Sequence, residues 1–406
     1  MTQQPPQASS TSGTPDEQAL PVPATEPDAS GMTRRLLLKG AAAGAASLSA
    51  LGGLALAPGI AAAAPATPII PAKPIVPAAP STPASASAPA ASSIIEFPRG
   101  GQLREYWVQA DSFFHNVMPT GVDGMTGNTF TASQTSFWAI GYRAFTPNWG
   151  MPLPSNDSIG ANTGIPGPIF RGAVGDTFRI HFRNQDIYYK QAHSISVHGL
   201  SFTTANDGGW SWMLRDTPGT AIPVGGTYTY EWTAIPRSVG TWPYHDHSKH
   251  FDPGRGTVVM EAGAELGLYG MLVVTDQNTP AVDKEFTSVW STFYSGDIPG
   301  LSQDFHTFDG FSYLGNTPTM HAKVGQRIRW RAVMLGNDFH TFHVHGHSWL
   351  FNGRYDDTIV VGPGTTLTFD YLEDAAPGSW YYHCHVPMHV MGPGMGGMIG
   401  LYNVTA

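Results

Sequence analysis

Three His-x-His pairs and a single cysteine set the chemistry open to this 406-residue chain. The pairs are His245-x-His247, His343-x-His345 and His383-x-His385, and Cys384 lies inside the last of them. Side chains on a strand alternate between faces, so both histidines of a pair point one way and Cys384 points the other. His389, five residues on, and His340, three before His343, are placed to converge on the side of the cysteine. The spacing therefore describes two sites back to back, one of two histidines and a cysteine, the other a multi-histidine cluster. Imidazole alone suits copper, zinc, iron or nickel. A trigonal site of two histidines and a thiolate with a weak axial methionine is the signature of type 1 blue copper. Zinc is the rival, but structural zinc closes at four ligands and needs no thiolate wired into a second cluster.

The elements that must position these residues are strands. DTFRIHFRN (176–184), GTYTYEWTAI (226–235) and GLYGMLVVTD (267–276) read as strands in the first half, and QRIRWRAVML (326–335), TTLTFDYL (365–372) and MIGLYNV (398–404) in the second. Amphipathic helices are absent, and 47 Gly and 34 Pro make turns frequent. The class is all-β. Each half also repeats one order of events. A turn at Gly175-Asp176 or Gly325-Gln326 precedes a strand, a His-Gly motif follows (VHGL, 197–200; HVHGH, 343–347), and a Gly-x-Trp strand ends in histidines (GTWPYHDH, 240–247; GSWYYHCH, 378–385). That repeat predicts two copies of one β-sandwich, residues 98–278 and 279–406.

Ahead of them, residues 1–31 are polar and rich in Pro, Ser and Thr, and read as a disordered or misassigned extension with the true start at Met32. Residues 32–64 read as a twin-arginine signal peptide, with Arg34-Arg35, a short apolar run and AxA sites near Ala61 to Ala64. Its weakly apolar Gly and Ala content favours cleavage over a membrane anchor. A Pro/Ala/Ser linker fills 65–97. The chain is thus expected to be exported through the twin-arginine machinery, to the cell envelope or beyond it. An exported lone cysteine forms no intrachain bridge, which leaves an intermolecular bridge, a buried thiol or a metal thiolate; its flanking histidines select the last. A net charge of −9 argues against nucleic acid.

From about residue 130 the sequence resembles the multicopper oxidases, in particular the two-domain small laccases. GPIFRGAVGDTFRIHFRN, VHGL, GTWPYHDH, GNTPTMHAKVGQRIRW, HTFHVHGH and WYYHCHVPMH carry the resemblance, the last two being the most specific. It implies two cupredoxin-like Greek-key domains, about four coppers per functional unit, and oxidation of phenols or aromatic amines coupled to reduction of O2 to water. By that pattern His340, Cys384 and His389 are type 1 ligands, His343 is a type 2 ligand, and His198, His245, His247, His345, His383 and His385 hold the type 3 pair. The first domain has no cysteine, so only the second holds type 1 copper. The resemblance further implies a homotrimer in which the first domain of one chain meets the second domain of its neighbour. Asp207, in TTANDGG, matches an acid placed near the cluster, where it would relay protons.

The match departs from the family in three places. The first-domain motif is normally His-x-His-Gly, but Ser196 takes the place of the first histidine, which puts type 2 occupancy in doubt. Either fewer histidines hold that copper, or His193 replaces the missing ligand through a bulge. Secondly, the family places an axial Met or Leu five residues after the position of His389, where this chain has Gly394. Met395 is the expected axial ligand, ahead of Met398. Thirdly, Phe202 stands where the family has a tyrosine. His250 and His347 read as supporting residues, and Trp349, Phe351 and Tyr355 as candidates for a substrate pocket or for core. The alternatives are an oxidase of Cu(I) or another metal ion, since thioethers such as Met388 and Met391 favour Cu(I), a copper nitrite reductase, and a non-enzymatic copper or electron carrier.

Overall fold

The structure, a computed structural model, describes residues 101–252, 257–260 and 262–406. The expected extension, export signal and linker lie outside the described residues. Four sheets build two sandwiches. In the first, β2 (Ser136–Phe145), β1 (Leu103–Asn116), β4 (Thr177–Gln185) and β6 (Thr227–Thr233) form one sheet in that order, and β3 (Phe170–Ala173), β10 (Tyr269–Thr275), β7 (Gly240–His245) and β5 (Ser196–Val197) form the other. In the second, β19 (Thr366–Leu372), β14 (Arg327–Met334), β11 (Lys284–Phe293), β12 (Asp304–Phe308) and β21 (Met395–Gly396) form one sheet. Its mate orders β13 (Met320–Lys323), β22 (Ile399–Thr405), β20 (Gly378–Cys384), β15 (His340–Val344) and β18 (Thr358–Val361). Two ribbons complete the count, β8 (Lys249–Asp252) with β9 (Thr257–Met260) and β16 (Trp349–Phe351) with β17 (Arg354–Asp356).

The two sandwiches share one topology. The parallel neighbours β1 and β4 match β11 and β14, and β3-β10-β7-β5 matches β13-β22-β20-β15. This is the all-β, cupredoxin-like Greek-key class expected from the sequence. Among the described residues no sheet mixes strands of the two halves, and the six strand runs read from the sequence each appear within two residues of the observed element. The α-helices are single turns, α1 (Ala132–Thr135), α2 (Ala262–Glu265) and α3 (Pro387–Met391), and no helix among the described residues is long and apolar enough to cross a membrane.

Alternation drives the folding. Strand β4 is buried at every second residue, with Phe178, Ile180 and Phe182 inside and Arg179, His181 and Arg183 outside. Each sandwich closes on an aromatic core. Trp290, Trp330 and Trp349 are wholly buried around Phe342 in the second, and Trp232, Tyr230 and Tyr244 fill the first. At about 1.5–3 kcal/mol for each large apolar side chain removed from water, these cores hold the strands in register. A third cluster joins the sandwiches, with Phe137, Tyr269 and Met271 meeting Val289, Phe293 and Phe305. Beside it Glu285 accepts hydrogen bonds from Arg171 (2.7 Å) and Arg331 (2.6 Å), and Arg331 reaches Thr241 at 3.0 Å.

The repeated His-Gly and Gly-x-Trp motifs have one steric cause. Gly199 and Gly346 have φ of +75° and +72°, and a Cβ on either would lie 2.1 Å from the Trp242 ring or 2.6 Å from the Trp380 ring. Only glycine lets the turn after the His motif lie flat on that tryptophan.

Candidate metal centres

Strand parity sorts the ligands as the spacing predicts. On β15, His340, Phe342 and Val344 are buried towards the core, while His343 faces outward. On β20, Cys384 is fully buried and His383 lies on the opposite, more open face. Register completes the arrangement, because His343 sits directly across from His383 and Phe342 from Cys384.

On the core side, Cys384 Sγ lies 3.5 Å from His389 Nδ1, and His389 Nδ1 lies 3.2 Å from His340 Nδ1. His389 reaches this point from α3, which Pro387 starts directly after the strand. The amide of Thr341 donates to Cys384 Sγ at 3.4 Å. Burial, with His389 and His306 beside it, pushes the His340 imidazole down to about 3, so it stands unprotonated. Burial also raises the thiol of Cys384, which a bound metal would overcome by taking the thiolate. Metal–nitrogen and metal–sulfur bonds of about 2.0 and 2.3 Å would set ligand atoms roughly 3.2–3.7 Å apart, the separations found here. The donor set fits copper.

On the outer side, His343, His345, His383 and His385 gather. His345 Nε2 and His383 Nε2 are 3.0 Å apart, and the rings of His343 and His385 are centred 5.0 Å apart. His383 Nδ1 donates to the carbonyl of Cys384 (2.8 Å), and His343 Nδ1 donates to that of Asp357 (2.8 Å). Each bond fixes the tautomer and leaves Nε2 as the lone-pair nitrogen turned to the cluster. Burial lowers His383 to about 4. The first sandwich offers the matching arrangement, with His245 Nδ1 donating to the carbonyl of Asp246 (3.1 Å) and His245 Nε2 lying 3.2 Å from His198 Nε2. His247 follows on the same strand line, its ring centre 5.7 Å from that of His245. Asp207 belongs beside it. The Cβ position of Gly209 is 2.9 Å from Asp207 Oδ2 and 3.8 Å from His247 Nδ1.

The structure places the residues that the sequence left open. Ser196 lies directly across from His245, as His343 does from His383, so it holds the place of the absent ligand. His193 does not replace it. Its ring is fully buried, with Nδ1 2.9 Å from Asp246 and Nε2 3.2 Å from Asp186, so both nitrogens are committed to carboxylates. The side chain buried with Cys384 is Met398 rather than Met395. Met398 is fully buried in the cluster of Cys384, its carbonyl accepts from the amide of Cys384, and its amide donates to the carbonyl of His389. Residues 391–396 instead close as a tight hairpin over Pro393-Gly394, with Gly394 at φ +75°, and Met395 packs half-buried against Gly392. Extra residues before the last strand were spun off as a turn, which a count from His389 does not see. Trp349 is wholly buried, as the core reading expects, while Tyr355 is exposed.

His306 was not singled out by the sequence. It is a lone histidine on β12, outside any His-x-His spacing, yet its ring stacks on His389 with centres 4.0 Å apart. His250 and His347 serve buried carboxylates, Asp246 (2.9 Å) and Glu373 (3.0 Å).

Residues 146–279 and 295–400, together more than half of the chain, each match a family model described as multicopper oxidase. The chain belongs to the multicopper oxidase family. Members use type 1, type 2 and type 3 copper, and the two-sided ligand set above is where this multicopper oxidase would hold them. It is 31% identical over 260 residues to a "Probable nitrite reductase-hydroxylamine oxidoreductase fusion protein" of Kuenenia stuttgartiensis, covering 59% of this chain and 27% of that protein. It is 25% identical over 366 residues to the ferroxidase HEPHL1 of Homo sapiens, covering 75% of this chain and 29% of that one. The chain thus spans less than a third of the length of these relatives. Its fold matches a crystal structure of a multicopper oxidase (TM-score 0.54, 22% identity, 77% of this chain and 96% of that one). It also matches a copper nitrite reductase of Nitrosomonas europaea (TM-score 0.50, 20% identity, 76% and 94%), so the fold by itself does not separate oxidase from reductase.

Proposed function

We propose that this multicopper oxidase is an exported, laccase-like enzyme of the two-domain type. It takes single electrons from phenols or aromatic amines at a type 1 site and passes them to O2 at a type 2/type 3 cluster. The observation that carries this reading is the split at residues 383–385. Cys384 faces His340 and His389 on the core side, while His383 faces His345 on the other. Bound there, copper would supply one-electron redox chemistry on the core side and O2 reduction on the outer side. The protein's part is a short covalent path, since the cysteine of one site is bonded through the backbone to histidines of the next. Met398, buried in the same cluster as Cys384, would be the thioether available to a metal held there. His389 is half-buried, which makes it the point of electron entry. Four phenols would each lose one electron and one proton, and one O2 would become two waters. Asp207, next to His247, is suited to hand protons to that reduction.

Neither histidine set completes the cluster. The first sandwich supplies three imidazoles and lacks a fourth at Ser196. His198, His345 and His385 are exposed, open to a further partner. Exposed Trp212, Met213 and Leu214 follow the first set, and exposed Leu350, Tyr355 and Val360 follow the second. A second copy of the chain, arranged as a homotrimer, would cover both and unite the sets. Mixed oligomers of Cys384→Ser and His198→Ala chains should then recover O2 uptake that neither variant shows alone, and mixing without recovery would contradict the shared cluster.

A metal-ion oxidase is the second reading, favoured by exposed Met388 and Met391 on the helix of His389 and by the soft character of thioethers. O2 uptake measured with a phenol, with Cu(I) and with no donor separates the two. Uptake with Cu(I) but not phenol would replace the laccase reading. No uptake with either, with nitrite consumed instead, would favour a reductase.

A further inference from the structure

A buried imidazole beside the type 1 residues is arranged as metal ligands are. Thr292, directly opposite His306 on β11, has one hydroxyl proton, and Asp338 Oδ2 accepts it at 3.1 Å. Were that proton turned to His306, the Thr292 oxygen would face the carboxylate with lone pairs only. The 2.8 Å contact between Thr292 Oγ1 and His306 Nδ1 is therefore a bond that His306 donates. Tyr294 donates to the same Asp338 oxygen at 2.9 Å, which anchors the chain of bonds. Nε2 of His306 is then the unprotonated nitrogen, and it is buried with no partner. Burying such a group unpaired is costly. A carboxylate-anchored imidazole with a bare second nitrogen is how proteins orient a metal-binding histidine. One ring nitrogen from each of His306, His340 and His389 lies within 4.8 Å of the others.

We propose that His306 is a third imidazole of the type 1 centre, offering its Nε2 to the metal as a weak contact beside the trigonal set of His340, Cys384 and His389. The stacking supports weakness, since the rings of His306 and His389 are inclined by only 24°, and the in-plane lone pairs of near-parallel rings do not converge closely on one point. The inference rests on the type 1 reading of those three residues. A further neutral nitrogen favours the more highly charged oxidised metal, so it lowers the potential of the site. Strand β12 carries His306 and pairs with Met395-Gly396 of the hairpin, so the extra turn that displaced Met395 also clamps His306 in place.

The test uses the copper-loaded full chain and two variants. His306→Phe keeps an aromatic ring over His389 and removes the nitrogen, while Thr292→Val keeps the histidine and releases its tautomer. Magnetic resonance of the oxidised type 1 signal should show three coupled nitrogens in the parent and two in His306→Phe. The preference for oxidised over reduced copper should fall about tenfold, the lower end of what supporting partners contribute, which is a rise of about 59 mV for one electron. Thr292→Val should raise the potential by less. A His306→Phe protein with an intact blue band, the parent's nitrogen count and the parent's potential would overturn the proposal and leave the type 1 reading standing. A parent with no blue band at all would overturn the reading beneath it.

Discussion

Strands β7 and β20 hold the same place in the two sandwiches and carry the same pattern, Gly-x-Trp-x-Tyr-His-x-His, with one decisive difference. Between the paired histidines stands Asp246 in the first and Cys384 in the second, and both are fully buried. Each lies beside histidines from the neighbouring strand or its approach and from the chain that follows. Asp246 Oδ2 lies 2.9 Å from His193 and 2.9 Å from His250, three residues before Ser196 and three beyond His247, whereas Cys384 meets His389, four beyond His385, which in turn lies 3.2 Å from His340, three before His343. The electrostatics are opposite. Burial pushes His193 down, but Asp246 and Asp186 outweigh it and raise the imidazole to about 9, so it carries a proton. Burial likewise works against the Asp246 carboxylate, but His193 and His250 hold it well below the usual range. His340, lowered by burial with His389 and His306 beside it, falls to about 3 and carries none. A proton closes the pocket in the first sandwich; the same pocket in the second is left ready for a metal. One scaffold thus yields an internal salt bridge or a redox site according to a single side chain.

The largest effect expected is from Cys384→Ser, which should remove the blue band and reduce O2 uptake to background in a protein that still folds. An undiminished band would break the comparison outright. Asp207→Ala, beside the first set, should slow O2 turnover about a hundredfold, as loss of a positioned proton donor does, while the blue band stays; unchanged turnover would remove Asp207 from the reaction. Asp246→Ala leaves the buried His193 proton to Asp186 alone and should cost about 1–3 kcal/mol in chemical denaturation, with the blue band of the folded fraction retained. The pH dependence of stability follows from the same pair. His193 is raised above its unfolded value near 6.5, so its contribution is whole below that pH and is lost as pH rises through about 9. Melting of the parent should therefore weaken between those values relative to His193→Gln, and parallel curves would contradict the proton assignment. The smallest effect is Ser196→His, which restores the missing ligand and should raise type 2 copper content towards one per cluster. No gain would mean that the site is limited elsewhere.

Much of this was legible in the sequence because it depends on period and repetition. Alternation alone put Cys384 and His383 on opposite faces, and the doubled Gly-x-Trp motif announced two sandwiches. Pairing across strands was hidden. No spacing in the sequence sets His306 opposite Thr292 or stacks its ring on His389. His193 was a candidate ligand until its carboxylate partners, 53 and 7 residues away in the chain, were seen to hold both nitrogens. The burial of Met398 with Cys384 was hidden because a hairpin at 391–396 takes up chain length without moving the last strand, and counting residues treats every one as an advance.

The central claim is that Cys384 joins a core-side electron-accepting site to an outward-facing oxygen-reducing one. Its most direct test follows the blue band of the copper-loaded protein under anaerobic addition of a phenol, and then on admission of O2. The account predicts bleaching by the phenol and full recovery of the band with O2, in step with oxygen consumed. A band that bleaches and then stays bleached when O2 enters would show that no electron passes from Cys384 to the histidine cluster.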